Sequence, residues 1–292
     1  MIIPKIIHNI WIQGYNELPE KNKKNHIEIK KLNPDWDFII WDNAMILQLL
    51  EKYPKILYTY KNVDKLSGIV NSRATQSDIA RYVILKEFGG LYYDLDFECV
   101  SSLNELFQEN DSNVKDNNTV FIASSKIELL DYLCPFDFIW RKPKYCSCFM
   151  ALKKNHPVWE KVFKSIENTN SKYVIGHAID TKLQESDYNV IVLERVNGHY
   201  ACSKKDHVCF TPTESSWNLI RPTMRFLNCY YKQILLLLIS IIVIIFVEKI
   251  NHYNILKLGL TSIIPGVPNT QTQPQTQSTV ETKQQKNKKS KK

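Results

Sequence analysis

Residues 77–96 read S-D-I-A-R-Y-V-I-L-K-E-F-G-G-L-Y-Y-D-L-D. The run continues a pattern that starts at Ser72, and it predicts a helix over Ser72–Phe88. Ala74, Ile79, Ala80, Val83, Ile84 and Phe88 form its broad apolar face. Gly89-Gly90 stops that helix, because glycine reaches the left-handed cap that other residues resist. A strand, Leu91–Asp96, follows at once. Period-two alternation then points the Asp94 and Asp96 carboxylates the same way, at the carboxyl end of a strand, where open α/β sheets bind ligands. Two such carboxylates repel unless a cation lies between them. Their hard oxygens suit Mg²⁺ or Mn²⁺, which also hold diphosphate oxygens. Asp78 and Arg81, three apart, share a helix face. The bland readings are a solvated turn for D-x-D and a surface ion pair of about 0.3–0.5 kcal/mol for Asp78–Arg81.

Outward from this run the pattern is strand, helix, strand, helix, strand. Lys5–Gln13 reads as a buried strand closed by Gly14, and Glu17–Leu32 as a helix ended by Asn33-Pro34. Trp36–Asp42 is a second strand and Met45–Leu57 a helix. Val120–Ser124, Cys146–Leu152 and Val190–Glu194 are later strand candidates, and His156–Glu167 is a further helix. The polar stretch 104–119 reads as a surface excursion. The alternation predicts an α/β domain with a Rossmann-like sheet.

Of the 292 residues, 23% are charged and the net charge is +8. Six lysines between Lys283 and Lys292 supply most of that excess, so the body is near neutral. A nucleic-acid-binding body, which needs a basic face, is excluded on this count. The seven cysteines include no C-x-x-C pair and indicate neither a disulfide framework nor a zinc ribbon. Buried small hydrophobes are the preferred reading, with Cys202, His207 and Cys209 as a zinc alternative lacking a fourth ligand nearby.

The run 77–96 closely resembles the DXD-containing sugar-binding region of glycosyltransferase family 32. Four more segments resemble that family in order: 3–14, 33–42, 149–159 and 215–218, so the resemblance covers about 1–218. It implies a GT-A fold and a metal-dependent transferase that moves a hexose from a nucleotide sugar, GDP-mannose or a UDP-sugar, to a glycan or glycolipid acceptor with retention of configuration. It implies that Trp11 stacks on the nucleobase and that Asp78 and Arg81 touch the transferred sugar and phosphate. It further implies that Tyr92 lies beside the donor and that Asp94 contacts ribose, sugar and metal. Asp96 becomes the main ligand of Mn²⁺ or Mg²⁺, and Ser216 and Trp217 contact the diphosphate. Asp78, Arg81, Asp94 and Asp96 are the catalytic set. In two places the chain departs from its relatives. Ser147-Cys148 stand where many have Asn, and His207 lies nine residues before Ser216. Two other functions fit the same motifs: a protein-glycosylating transferase of toxin type, and a nucleotide-sugar-binding pseudoenzyme.

Beyond the last motif the composition changes. Ile234–Val247, I-L-L-L-L-I-S-I-I-V-I-I-F-V, carries no charge. With Lys232 snorkelling and Tyr230 and Tyr231 at the interface, Phe226–Val247 reaches the length of a bilayer span. The expected organisation is therefore a catalytic domain over 1–225 and a single-pass transmembrane helix over 226–249. A membrane-proximal segment follows at 250–268, and a disordered Gln/Thr then Lys-rich tail at 269–292. The expected site is a secretory-pathway or host/viral-factory membrane. Orientation is two-sided: the lysine tail favours a cytosolic C-terminus, while the lack of an N-terminal signal favours a cytosolic catalytic domain. Sequons begin at Asn110 and Asn117.

Overall fold

Residues 3–108, 118–125, 144–197, 207–210 and 220–261 are described by the computed structural model. Strand β1 (Ile6–Ile10) lies between β2 (Asp37–Trp41) and β3 (Gly90–Tyr93) and runs parallel to both. Helix α1 (Glu20–Leu32) links β1 to β2. Helices α2 (Asn43–Leu50), α3 (Pro54–Lys61) and α4 (Ser72–Phe88) link β2 to β3. After β3 come β4 (Glu98–Cys99), α5 (Asn104–Gln108), β5 (Thr119–Ser124) and β6 (Tyr145–Leu152). Helices α6 (Val158–Glu167), α7 (Lys172–Gly176) and α8 (Ala178–Gln184) then lead to β7 (Asn189–Asn197) and β8 (Cys209–Phe210). The eight strands form one mixed sheet in the order β2-β1-β3-β6-β5-β7-β8-β4. The α/β expectation holds.

Burial follows from strand alternation. Leu91 and Tyr93 of β3 pack on one face with Ile7, Phe121 and Phe149. Tyr92 turns to the other face, among Ile79, Val83 and Ile84 of α4 and Trp159 of α6. This alternation brings Tyr92 under the helix that carries Asp78 and Arg81.

Several expectations shift. The Met45–Leu57 helix is two helices, because Pro54 lacks the N–H an interior position needs and instead opens α3. The stretch from 104 is not all surface, since Leu106 and Phe107 of α5 are buried. Strand β3 ends at Tyr93, so Asp94 and Asp96 do not alternate along it. They occupy a tight turn closed by Phe97 N–H donating to the Asp94 carbonyl (3.1 Å). The cysteines are not all free: Cys99 joins Cys209 across β4 and β8, and Cys146 joins Cys148. Cys209 is thereby removed as a zinc ligand.

By its contacts the chain divides into Met1–Ile234 and Leu235–Lys292. Helix α9 (Ile220–Thr261) carries one stretch, Cys229–Asn254, long and apolar enough to cross a membrane, with mean hydropathy 2.6. Leu236, Ile242 and Phe246 in it are exposed. Ser216, Trp217, the Asn110 and Asn117 side chains and the 269–292 tail lie outside the described residues.

Candidate active site

Two glycines set the geometry. Gly89 (φ +66°) caps α4 and Gly90 (φ +91°) starts β3, both in backbone regions that side chains resist. Gly90 also packs on the Ile6 carbonyl so closely that a methyl group there would collide with it. His8, fully buried on β1, secures the turn. Trp41 Nε1–H donates to His8 Nδ1 (3.1 Å), leaving His8 Nε2–H to donate to the Gly89 carbonyl (2.9 Å). Burial lowers the imidazole to about 4, the Gly89 bond opposing. Both ring nitrogens are thus satisfied within the fold. Asn9, also buried, donates from Nδ2 to the Tyr93 carbonyl (2.8 Å) and pins the end of β3.

With α4 and β3 so joined, Arg81 sits between Asp78 and Asp94. Its Nη2 lies 3.2 Å from Asp78 Oδ1 and 3.2 Å from Asp94 Oδ1. Nη1 donates to the Ser147 carbonyl (3.0 Å) and to Ser147 Oγ (3.2 Å), and Nε donates to the Ser77 carbonyl (3.3 Å). The guanidinium carbon lies 4.7 Å from the Tyr92 ring centre, a cation–π contact. Tyr92 Oη–H in turn donates to Asp94 Oδ1 (2.6 Å). Arg81 is only 6% exposed, and it is held as a fixed, oriented charge. Burial alone would make the guanidinium easier to deprotonate. Asp94 first, with Tyr92 and Asp78, outweighs burial and keeps it firmly charged. Burial raises Asp78 to about 6, Arg81 opposing and Asp94 adding.

The sequence-derived residues Asp78, Arg81, Tyr92 and Asp94 thus form one contact network. Asp96 follows in the turn, partly buried. Trp11 stands just past the end of β1, its N–H donating to the Trp41 carbonyl (2.9 Å). Its indole Nε1 is buried with no partner among the described residues. Because β1 and β3 are parallel neighbours, Trp11 and Asp94 occupy the same edge of the sheet. Two partners were missed as such. Ser147 on β6 anchors Arg81, and Gly176 at the end of α7 lies against the Asp78 carboxylate. Ser147 drew notice only as a departure from the family pattern. Gly176 gave no signal, because its neighbour is 98 residues away.

The donor set fits a hard divalent ion. Asp94 Oδ1 is taken by Arg81 and Tyr92, while no described side chain bonds Oδ2. Asp94 and Asp96 together supply two carboxylates. No group of three or more His, Cys, Asp or Glu side chains able to hold a metal occurs among the described residues. Two protein oxygens with the remainder from ligand and water is how Mg²⁺-type ions sit at phosphate sites.

Residues 19–113 match the family model for a glycosyltransferase sugar-binding region containing a DXD motif. Asp78, Arg81, Tyr92, Asp94 and Asp96 all fall within that sugar-binding region, so the resemblance read from residues 77–96 is borne out. The chain is similar to the uncharacterized glycosyltransferase L373 of Acanthamoeba polyphaga mimivirus. They are 30% identical over 167 residues, 56% of each protein. It is also similar to inositol phosphoceramide mannosyltransferase 3 of Schizosaccharomyces pombe, 34% identical over 36% of this chain and 27% of that protein. A third relative is the mannosyl phosphorylinositol ceramide synthase SUR1 of Saccharomyces cerevisiae, 33% identical over 36% and 25%. The chain therefore spans about half or less of the length of these curated relatives. Among solved structures, mouse xyloside xylosyltransferase 1 is 13% identical with a TM-score of 0.41, covering 74% of this chain and 85% of that one.

Proposed function

We propose that the chain is a GT-A glycosyltransferase that moves a hexose from a nucleotide sugar to a glycan or glycolipid acceptor, with a divalent ion at Asp94 and Asp96. The observation that carries this reading is the Asp78–Arg81–Asp94 network beside the D-x-D turn, inside the matched sugar-binding region. The donor is GDP-mannose or a UDP-sugar. The similarity to mannosyltransferases of inositol phosphoceramides favours GDP-mannose and a lipid-linked acceptor.

The chemistry follows from charge. Breaking the anomeric C–O bond leaves a nucleoside diphosphate with new negative charge. A divalent ion, when bound, supplies Lewis-acid stabilisation of those oxygens. Arg81 adds a preorganised positive charge in a dry setting, where it costs no reorganisation as the bond breaks. Its Nη2 edge, shared by Asp78 and Asp94, is the part that meets the phosphate. Above a pH of about 6 the Asp78 carboxylate is anionic and accepts hydrogen bonds from sugar hydroxyls. Trp11 stacks on the base, and Ser216 and Trp217 contact the diphosphate. Transfer proceeds with retention, the acceptor hydroxyl attacking on the face the leaving group departs from and giving its proton to the departing diphosphate oxygen. The apolar part of α9 crosses the membrane once.

The test is a donor screen. The full chain in detergent is given GDP-mannose and several UDP-sugars, with Mn²⁺, with Mg²⁺ and with chelator, and free nucleoside diphosphate is measured. One donor should be consumed in a metal-dependent way. Metal-independent release, or none with any donor, overturns the proposal.

A further inference from the structure

Lys172, the first residue of α7, is a buried cation that the donor site does not use. It is 8% exposed. Its Nζ donates to the Val70 carbonyl (3.1 Å) and to Ser72 Oγ (3.2 Å), both neutral. No carboxylate lies within ion-pair distance of it among the described residues. Ser72 opens α4, a helix of 17 residues, and a helix N-terminus carries about half a positive charge. A buried ammonium therefore faces the positive end of a dipole, and its own hydrogen bonds all go to neutral oxygens. Burying a charge in this way is costly unless an opposite charge completes the site.

The surroundings supply a place for that charge. Lys172 and Ser72 line an open cavity of about 610 Å³ together with Arg73, Gln76, Asn71 and Asp64. Two cations and a helix N-terminus face one carboxylate, Asp64, which is exposed. The cavity wall is held in place. Ser67 N–H donates to the Asn170 carbonyl (2.7 Å) and Lys172 N–H to the Ser67 carbonyl (3.0 Å), so the loop before α4 is tied to the segment before α7. The cavity is close to the donor site but separate from it. Ser72 and Asp78 are six residues apart on α4, about 9 Å along the axis, and α7, which begins at Lys172, ends at Gly176 against the Asp78 carboxylate.

We propose that this cavity is a second anion subsite, which takes a phosphate or phosphodiester group carried by the acceptor. This inference rests on the glycosyltransferase reading above. The Arg73 guanidinium provides a fork for two phosphate oxygens, and the Lys172 ammonium a point charge for the third. An acceptor anchored there has about 9 Å to span along α4 to reach the level of Asp78.

The experiment is calorimetry on the full chain in detergent, with Mg²⁺ and saturating nucleoside diphosphate filling the donor site. Glycerol phosphate and glycerol are the probes. Glycerol phosphate should bind at least about tenfold more tightly than glycerol. Arg73→Gln and Lys172→Gln should each weaken it at least about tenfold, the loss expected for one charge-assisted hydrogen bond. Nucleoside diphosphate affinity, measured separately, should stay within about twofold. If Lys172→Gln lowers the melting temperature too far to be read, Arg73→Gln, an exposed position, decides alone. Equal binding of the two probes, or no effect of Arg73→Gln, overturns the subsite. Glycerol phosphate that binds only when nucleoside diphosphate is left out also overturns it, and assigns these cations to the donor's own diphosphate. Binding of glycerol phosphate with no binding of nucleoside diphosphate leaves the anion site standing and refutes the donor reading instead.

Discussion

Arg81→Lys keeps the charge and removes the shape. The guanidinium makes three hydrogen bonds and two ion-pair contacts in three directions at once, toward Ser77, Ser147 and the Asp78/Asp94 pair. An ammonium has three donors on one atom, so at least two of these five contacts are lost. Each charged hydrogen bond is worth about 1.5–3 kcal/mol, and breaking a buried ion pair outright costs about 3–5 kcal/mol. Because the charge remains, the expected loss of stability is about 2–4 kcal/mol, or roughly 5–15 °C in Tm for a unit of this size. Turnover should fall more than donor affinity: about 100-fold or more in kcat, corresponding to about 2.7 kcal/mol of lost transition-state stabilisation, against less than about tenfold in donor Kd. The assays are a thermal melt without donor, donor titration by calorimetry, and initial rates. An unchanged melt would mean that the guanidinium does not hold the network together. Loss of donor affinity at unchanged turnover would mean that Arg81 positions the diphosphate without stabilising the leaving group.

Gly90→Ala should cost about 2–4 kcal/mol in denaturant melts, because a positive φ and the Ile6 carbonyl both oppose a methyl group. Gly14→Ala, with the same φ of +91° but nothing within 4 Å, should cost about 1 kcal/mol, and equal costs would refute the close packing at the turn. For His8, a folded value of about 4 below the ordinary 6.5 gives stability that is fully present above pH 6.5 and lost as pH falls through 4, about 3 kcal/mol in all. His8→Gln, which can still accept from Trp41 and donate to Gly89, should flatten that slope; an unchanged slope assigns it to other groups. A chain ending at residue 225 should stay in the supernatant, whereas the full chain should sediment with membranes and resist carbonate washing. Carbonate-soluble full chain would refute the spanning role of α9.

The α4–turn–β3 unit was legible in the sequence because each local signal agreed: an apolar helix face, a glycine pair that ends it, and aromatic strand residues behind. Asp78, Arg81, Tyr92 and Asp94 were legible as a set for the same reason, since all four lie within seventeen residues of one another across that turn. What failed was finer. Period two placed Asp94 and Asp96 on a strand, yet the strand ends at Tyr93 and the carboxylates occupy a turn. The apolar pattern runs through Pro54 as one helix, yet the N–H that proline lacks divides it into two. Ser147, Gly176 and the Cys99–Cys209 pair owe their places to contacts between segments 66, 98 and 110 residues apart, which no local pattern encodes.

The central claim is that Asp94 and Asp96 bind a nucleotide sugar through a divalent ion while Asp78 and Arg81 grip its sugar and phosphate. Titration of the consumed donor into wild-type chain and Asp96→Asn, each with Mn²⁺ and with chelator, tests it most directly. The wild type should bind at least about tenfold more tightly with Mn²⁺. Asp96→Asn should bind alike in both conditions, and its melt should stay close to that of the wild type, because a turn carboxylate at the sheet edge adds little to the core. Mn²⁺-dependent binding that survives in Asp96→Asn would contradict the account.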